Sequence, residues 1–388
     1  MAARQLCRHR LDQGVLLESV DDRRPSFGHQ GEELVLSELR IVCQQQVFEQ
    51  LIIVLVELVE VDLLPITKRH PDEYRDGRVP HLVVVGAASR DLDSDDPRGW
   101  RLGGGVTYSS RAAAALGLRV AALMGVDEAA AGARELDDLR AGGVDLQLVR
   151  LQDGPVFENR ETPAGRVQIA HSGSDRLPVA ALPTRWASAC AFLLNPVAGE
   201  LDDVWASAPS ANAIVGLGYQ GMVRVIVPGE PVGLRALTRT ALVARADLAG
   251  MSDEDLAPDP VGLDELMPRD GQQLVITRGE RGGIHLARSA GRIRARRFPA
   301  IPTRRELDRT GAGDTFLAAW MAATIALGRE TRGQETRDGE PDRRAAMTSR
   351  ALRLAALASS LLVAGIPLDL GAVAERAREL TQRDAAPR

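Results

Sequence analysis

Leu82-Val83-Val84-Val85 is an unbroken apolar run that closes on Gly86, with no polar residue alternating through it. Such a strand has to bury both of its faces, as strands of a parallel sheet covered by helices do. Runs of the same kind return at Val120-Ala121-Ala122-Leu123-Met124-Gly125, Ala191-Phe192-Leu193-Leu194 and Ala213-Ile214-Val215-Gly216-Leu217. Helical patterns lie between them, over Ala112 to Leu116 with Gly117 as its C-terminal glycine, over Glu135 to Gly142, and from about Gly199 to Ser207. Val144 to Leu151 reads as an edge strand. Strands alternating with helices predict the α/β class. In such sheets ligands collect at the carboxyl ends of the strands.

Composition narrows the function classes. Of 388 residues, 45% are hydrophobic, enough for a sizeable core, and the formal net charge of −5 is the wrong sign for a nucleic-acid binder. Aromatics at 3% leave little for stacking single strands. Cys7, Cys43 and Cys190 are far apart and the six histidines are scattered, so neither a disulfide framework nor a zinc site is expected. The apolar stretch from Leu51 to Ile66 is broken by Glu57, Glu60 and Asp62, too charged for a membrane span. The expectation is a cytoplasmic protein with neither nucleic acid nor membrane as partner. Residues 1–78 lack any lasting period, with Arg8-His9-Arg10 and Gln44-Gln45-Gln46 among short apolar runs. They read as an irregular extension, with a small accessory domain as the other reading, and the ordered domain is expected over 79–383.

Asp308-Arg309-Thr310-Gly311-Ala312-Gly313-Asp314-Thr315-Phe316 carries the chemistry. Phe316, Leu317, Trp320, Met321, Thr324 and Ile325 are spaced for one buried helical face, so the glycine turn is the start of a helix. Backbone N–H groups there have no intrahelical partner, and with the helix dipole they form an anion site. Asp314, in the first turn, could take a proton from a hydroxyl beside that anion. Taken alone, Gly-Ala-Gly-Asp is equally a helix start with an acidic first turn.

The longer string, Asp-x-Thr-Gly-Ala-Gly-Asp-x-Phe, resembles the signature of the ribokinase-like carbohydrate kinases, the PfkB family. The resemblance runs from about residue 81 to 380. It implies a three-layer α/β/α sandwich with a small β lid, and ATP-dependent phosphorylation of a hydroxyl on a sugar, polyol or cyclitol. By resemblance Asp314 is the base, and Gly311, Ala312 and Gly313 form the anion hole.

The other motifs follow in the family's order, each with a plainer reading beside it. Asp91, five residues after Gly86, stands where the family binds substrate hydroxyls; otherwise it belongs to a solvated acidic loop with Asp93, Asp95 and Asp96. Gly103 and Gly104 resemble the glycines that let backbone approach the sugar, with Tyr108 where the family usually has asparagine. Two alternating runs over about 155–170 read as a hairpin. As the family's lid they would aim Asn159, Arg166 and Gln168 at the substrate. Gln220 and Arg224 follow a strand end and are candidate substrate or phosphate contacts. Ser252 and Asp255 replace the family's Asn-x-x-Glu, and Asp255 would act on magnesium through water. Thr277, Gly279 and Gly282 resemble the nucleotide-site turn, which is otherwise a turn between two strands, and Asp308 is carried with them as a nucleotide contact. The Gly-Gly-x-x-Thr-Tyr, hairpin and Gln220–Arg224 features look closest to a subgroup with inositol-kinase-like proteins. ATP and Mg²⁺ are thus the implied cofactors, and there is room for a homodimer through the lid. Tyr108 and Ser252 also suit a non-catalytic binder of the same fold. A dinucleotide oxidoreductase is disfavoured, since no Gly-x-Gly-x-x-Gly follows the first strand.

Overall fold

The computed structural model describes residues 15–17, 79–163, 165–256, 262–303, 305–331 and 340–384. Apart from Val15–Leu17 (β1), the extension expected over 1–78 lies outside the described residues. The ordered chain opens with Leu82–Ala87 (β2), Arg90–Leu92 (β3), Trp100–Leu102 (β4), helix Gly105–Ala115 (α1), Val120–Val126 (β5), helix Arg134–Ala141 (α2) and Asp145–Arg150 (β6). Val156–Thr162 (β7), Gly165–Ser172 (β8), Ala191–Leu194 (β9), Ile214–Gly218 (β10), the short helix Gln220–Val223 (α3), Arg224–Val225 (β11) and Gly233–Leu234 (β12) follow. The chain closes through Ala241–Arg245 (α4), Leu248–Ser252 (β13), Leu263–Leu266 (α5), Gln273–Thr277 (β14), Gly283–Ser289 (β15) and Arg292–Phe298 (β16). Three longer helices end it, Ala312–Thr331 (α6), Glu340–Val363 (α7) and Leu370–Asp384 (α8).

The main sheet runs β1-β16-β15-β14-β13-β10-β9-β2-β5-β6. From β14 to β6 all pairings are parallel, and β15 is antiparallel to both its neighbours. The unbroken apolar run of β2 works as its pattern requires. Leu82 and Val84 enter one buried cluster, with side chains of α1, α2, α6, α7 and α8. Val83 and Val85 enter the other, with Trp186, Trp205 and residues of α4 and α5. These are the three layers of an α/β/α fold. Helix α7 holds the one described stretch long and apolar enough to cross a membrane, Ala345–Val363, but half of it is buried in the protein.

Strand order reverses between β2, which leads to β5, and β9, which leads to β10. Loops leaving the carboxyl ends of these neighbours diverge and leave a crevice, the usual ligand position in an open α/β sheet. Above it stands a second sheet of order β4-β3-β7-β8. The hairpin expected over 155–170 is β7 and β8, paired antiparallel with Asn159 opposite Gln168. The lid is larger than expected, because β3 pairs parallel with β7 and antiparallel with β4. Asp91 is therefore a strand residue of the lid.

Two local expectations are corrected. No helix runs from Gly199 to Ser207, where only a 3₁₀ turn at Asp203–Ser207 forms. Gly199 takes a left-handed conformation (φ 77°) and Glu200 turns inward to accept from the amides of Ala87, Val197 and Ala198. Gly328 to Arg344, rich in Gly, Arg, Glu and Asp, reads from sequence as a solvated loop, but α6 continues to Thr331 and α7 begins at Glu340; 332–339 lie outside the described residues.

One buried histidine gives the fold a measurable acid sensitivity. His285 on β15 is 5% exposed, its Nε2 is 2.9 Å from Gln273 Oε1, and its ring meets Trp320 edge-on. Burial first, and then the Arg296 cation, push its pKa down to about 4. An unfolded histidine titrates near 6.5, so below that pH the unfolded chain binds a proton the folded chain refuses. Its contribution is intact above pH 6.5 and lost as pH falls toward 4, by about 3 kcal/mol. Urea unfolding at pH 7.5 and 4.5 should show that loss, and His285→Gln should remove most of it. Equal losses in both proteins would mean that His285 is not the group responsible.

Candidate active site

Asn195, the residue after β9, is the centre of the crevice. It is 2% exposed, and its Nδ2 donates to Asp314 Oδ1 at 2.8 Å and to Ser109 Oγ at 3.0 Å. Ser109 Oγ donates in turn to the Asp314 carbonyl at 3.2 Å. Space for Asn195 comes from glycines on three elements. A Cβ at Gly218 would sit 2.0 Å from its Oδ1, one at Gly105 2.5 Å from its Nδ2, and one at Gly86 2.5 Å from its carbonyl oxygen. In sequence, Asn195-Pro196 after the apolar run reads only as the turn that ends a strand. The available signal was an amide side chain ending a buried apolar run, with glycines ending the neighbouring runs.

Asp314 stands in the first turn of α6, half-buried at the base of the crevice. Burial raises its carboxyl above the ordinary range; the Asn195 bond and the Arg224 cation oppose this, and the nearby Asp255 and Asp91 carboxylates add to it. Gly311 precedes it at φ 78°, where a Cβ would lie 2.2 Å from the Tyr108 ring. Tyr108 thus packs on the glycine turn, and burial with the Asp91 and Asp308 charges pushes its phenol well above the ordinary range. Of the three expected anion-hole amides, that of Ala312 already donates to the Arg309 carbonyl at 3.1 Å. The amides of Gly311, Gly313 and Asp314 have no partner among the described residues. A Cβ at Gly313 would meet nothing within 4 Å, so space lies open in front of that amide.

On the lid side of the crevice stand Asp91, Gly103, Gly104 and the lid strands. Asp91 accepts from Ser89 Oγ at 2.7 Å, and its carboxyl is raised, chiefly by burial. A Cβ at Gly103 would strike Asp91 Oδ2. Gln168 Nε2 donates to Asn159 Oδ1 at 3.1 Å, so these two lid residues partly satisfy each other. Arg166 donates to Thr310 Oγ1 at 3.1 Å, and Arg101 bridges Asp93 and Asp308, which ties the lid to the glycine turn. Asp308, expected at the nucleotide, instead caps that turn by accepting from the Thr310 amide at 2.8 Å. Gln220 lies half-buried at the start of α3.

At the carboxyl end of β13, Ser252 and Asp255 form a capping box. Asp255 Oδ2 accepts from the Ser252 amide and Ser252 Oγ from the Glu254 amide, each at 2.9 Å. Burial raises the Asp255 carboxyl, against that amide bond and Arg224. Thr277 Oγ1 donates weakly to the Met251 carbonyl at 3.4 Å. Gly279 and Gly282 frame a tight turn between the antiparallel β14 and β15. Gly282 has a packing reason to be glycine, since a Cβ would lie 2.1 Å from the Phe298 carbonyl oxygen. Sequence reading also missed Glu200, 0% exposed, whose oxygens receive backbone amides from both β2 and the loop after Asn195. No group of three or more His, Cys, Asp or Glu that could hold a metal occurs among the described residues.

Comparison with known proteins places the fold. No family model matches the chain, and no curated protein matches it. Among solved structures, it is similar to a pyrophosphate-dependent kinase in the ribokinase family complexed with a pyrophosphate analog and myo-inositol, at 18% identity and TM-score 0.53, covering 75% of this chain and 98% of that one. Ribokinase from Giardia lamblia is similar over 78% of this chain and 98% of its own, at 14% identity and TM-score 0.56. Ribokinase from Cryptococcus neoformans, in complex with ADP, is similar over 76% and 99%, at 15% identity and TM-score 0.53. The protein has the ribokinase-like fold.

The Asn195 to Asp314 bond sets orientation and ionisation together. Asn195→Ala should lower turnover about 10- to 100-fold, the weight of one charge-assisted hydrogen bond. It should also move the acid limb of the pH–rate profile upward, because the bond it removes favours the ionised carboxylate. An unchanged limb with unchanged turnover would show that Asn195 serves packing alone.

Proposed function

We propose that the protein is a kinase that phosphorylates a hydroxyl of a sugar, polyol or cyclitol, with ATP as donor. One observation carries the reading: Asp314 is held by Asn195 beside two unpartnered amides and the open space at Gly313. The acceptor hydroxyl rests between Asp91 and Asp314. Asp314 takes its proton as the oxygen attacks the donor's terminal phosphorus in line, and the leaving oxygen departs on the opposite side. The Gly313 and Asp314 amides, with the N-terminal dipole of α6, hold the charge on the equatorial oxygens. Lid strands β7 and β8 exclude water, which otherwise competes for the phosphoryl group.

The donor side fits a magnesium ion held mainly by water and phosphate oxygens. Asp255 has one oxygen engaged with the Ser252 amide, and its other oxygen would hold the ion's water shell. When bound, the ion would neutralise charge on the donor phosphates. The solved neighbours include both an ADP complex and a pyrophosphate-dependent enzyme, so donor assays should pair ATP with inorganic pyrophosphate.

The central test is Asp314→Asn. Asparagine is nearly isosteric, so the turn and its amides keep their places while the proton acceptor is lost. Turnover should fall roughly 10² to 10⁴-fold, with donor affinity by calorimetry little changed. Near-normal turnover would reduce Asp314 to a helix-start residue. No measurable turnover by the wild type with any acceptor, alongside tight ligand binding, would favour the non-catalytic binder.

Tyr108 motivates the acceptor class. Its ring fills space against Gly311 and its hydroxyl lies among Asp91, Asp308 and Arg101, a different pairing pattern from a carboxamide. Sites whose polar groups match one set of hydroxyls reject analogues that leave them unpaired. A kcat/KM panel should rank a cyclitol such as myo-inositol, or a modified sugar, above free ribose. Ribose as the best substrate would overturn that ranking.

A further inference from the structure

Arg224 stands among the carboxylates of the crevice, and its bonding is unlike that of the half-buried Arg98 and Arg269. It follows α3 on the loop leaving β10, with its guanidinium 5.3 Å from the centroid of the Phe157 ring. Nη1 donates one long bond, 3.4 Å, to the Val197 carbonyl. Among the described residues no carboxylate oxygen comes within the 4.0 Å of an ion pair. Two arginines outside the crevice show what a structural role looks like. Arg98 takes Asp96 and Glu135 in paired bonds of 2.6 to 3.0 Å. Arg269 takes the carbonyls of Ala244, Arg245 and Ala246 together with Asp247.

Carboxylates are not lacking around Arg224. Asp255, Asp314, Asp91 and Glu200 all act on it electrostatically. Each is anchored elsewhere: Asp314 by Asn195, Asp91 by Ser89, Asp255 by the Ser252 amide, and Glu200 by the backbone of Ala87, Val197 and Ala198. The gap between this fork of donors and its acidic neighbours is therefore built by the fold. A guanidinium presents five N–H donors in a plane that matches phosphate oxygens.

We infer that Arg224 grips the phosphoryl group in transfer, bridging the acceptor side at Asp91 and the donor side at Asp255. The inference rests on the kinase reading for its chemistry, and on the unsaturated guanidinium for its place. A phosphoryl group passing from donor to acceptor brings oxygens into the space that the four carboxylates are held back from. Arg224 then balances charge that the Gly313 and Asp314 amides hold from the other side.

The test uses the full chain with Arg224→Gln and Arg224→Lys. Lysine keeps the charge and loses the fork, which guards against a glutamine variant that fails to fold around unbalanced carboxylates; melting curves report on that. Binding of inorganic pyrophosphate and inorganic phosphate is measured by calorimetry, and kcat and KM on the best acceptor. Both variants should bind pyrophosphate roughly 10- to 100-fold more weakly and lose kcat by a similar factor. KM for the acceptor should stay within a few-fold. In Arg224→Gln the acid limb should also move upward, since the cation favours the ionised base. If the wild type binds pyrophosphate through Arg224 but transfers nothing, the kinase reading fails and the anion site stands. Pyrophosphate binding indifferent to both substitutions overturns the inference whatever the turnover, as does a wild type that binds neither anion at millimolar concentration. A rise in acceptor KM alone would give Arg224 to the acceptor hydroxyls and likewise overturn it.

Discussion

The hydrogen bond from Asn195 to Asp314 joins the two halves of this fold at the point where they would otherwise separate. Asn195 ends β9, next to β2 where the strand order reverses, and Asp314 begins α6 after nearly the whole sheet has been laid down. The loops from β2 and β9 run in opposite directions, so nothing in the sheet itself sets the distance between them. A buried amide fixed at both ends does. Its confinement by Gly86, Gly105 and Gly218 leaves little room for another rotamer, so orientation is transmitted from the sheet to the carboxylate. Glu200 repeats the device one loop further on, with backbone amides of β2 and of the segment after Asn195 gathered on one side chain.

The lid shares core with the main sheet, through Phe157 and Ala170 on one side and Leu102 on the other, and it reaches the glycine turn by polar contacts. Arg101 on β4 reaches Asp308, and Arg166 on β8 reaches Thr310, the residues just before the glycine turn. Asp308 in turn caps that turn through the Thr310 amide. Exposed contacts of this kind are each worth little, so burial of Phe157, Ala170 and Leu102 attaches the lid and the polar contacts set its register on the glycine turn.

How far the sequence could be read follows from which forces act locally. Strands β2, β5, β9 and β10 were legible because burial on both faces demands an unbroken apolar run, and α6 because its buried face repeats at helical spacing. Asp314 and Gly311 were legible because a glycine turn at a helix start has one geometry. Asn195 and Glu200 were not, since their partners lie 119 and 113 residues away and no local pattern signals a contact of that separation. Strands β3 and β4, three residues each, are too short for period and exist through pairing, β3 with β7 and β4 with β3. The supposed helix from Gly199 failed because a helical pattern competed with a left-handed glycine and a carboxylate that found better partners in the backbone.

Glycine separates fold from function at the two turns. Gly282 would collide with the Phe298 carbonyl if it carried a side chain, and Gly311 would collide with Tyr108; packing alone accounts for both. Gly313 differs. It sits within a helix, where glycine is disfavoured by about 1 kcal/mol against alanine, and a Cβ there would touch nothing. Neither conformation nor packing requires glycine at that position. What it preserves is an unobstructed approach to an unpartnered amide at the positive end of α6, one residue before a carboxylate already oriented by Asn195. A negatively charged group brought close there meets donors on one face and Asp314 on the other. The carboxylate repels it unless a cation intervenes, so a productive complex needs positive charge on the crevice side of the group. Arg224 carries that charge permanently, and under the proposed function Asp255 would add a metal's charge through its water shell.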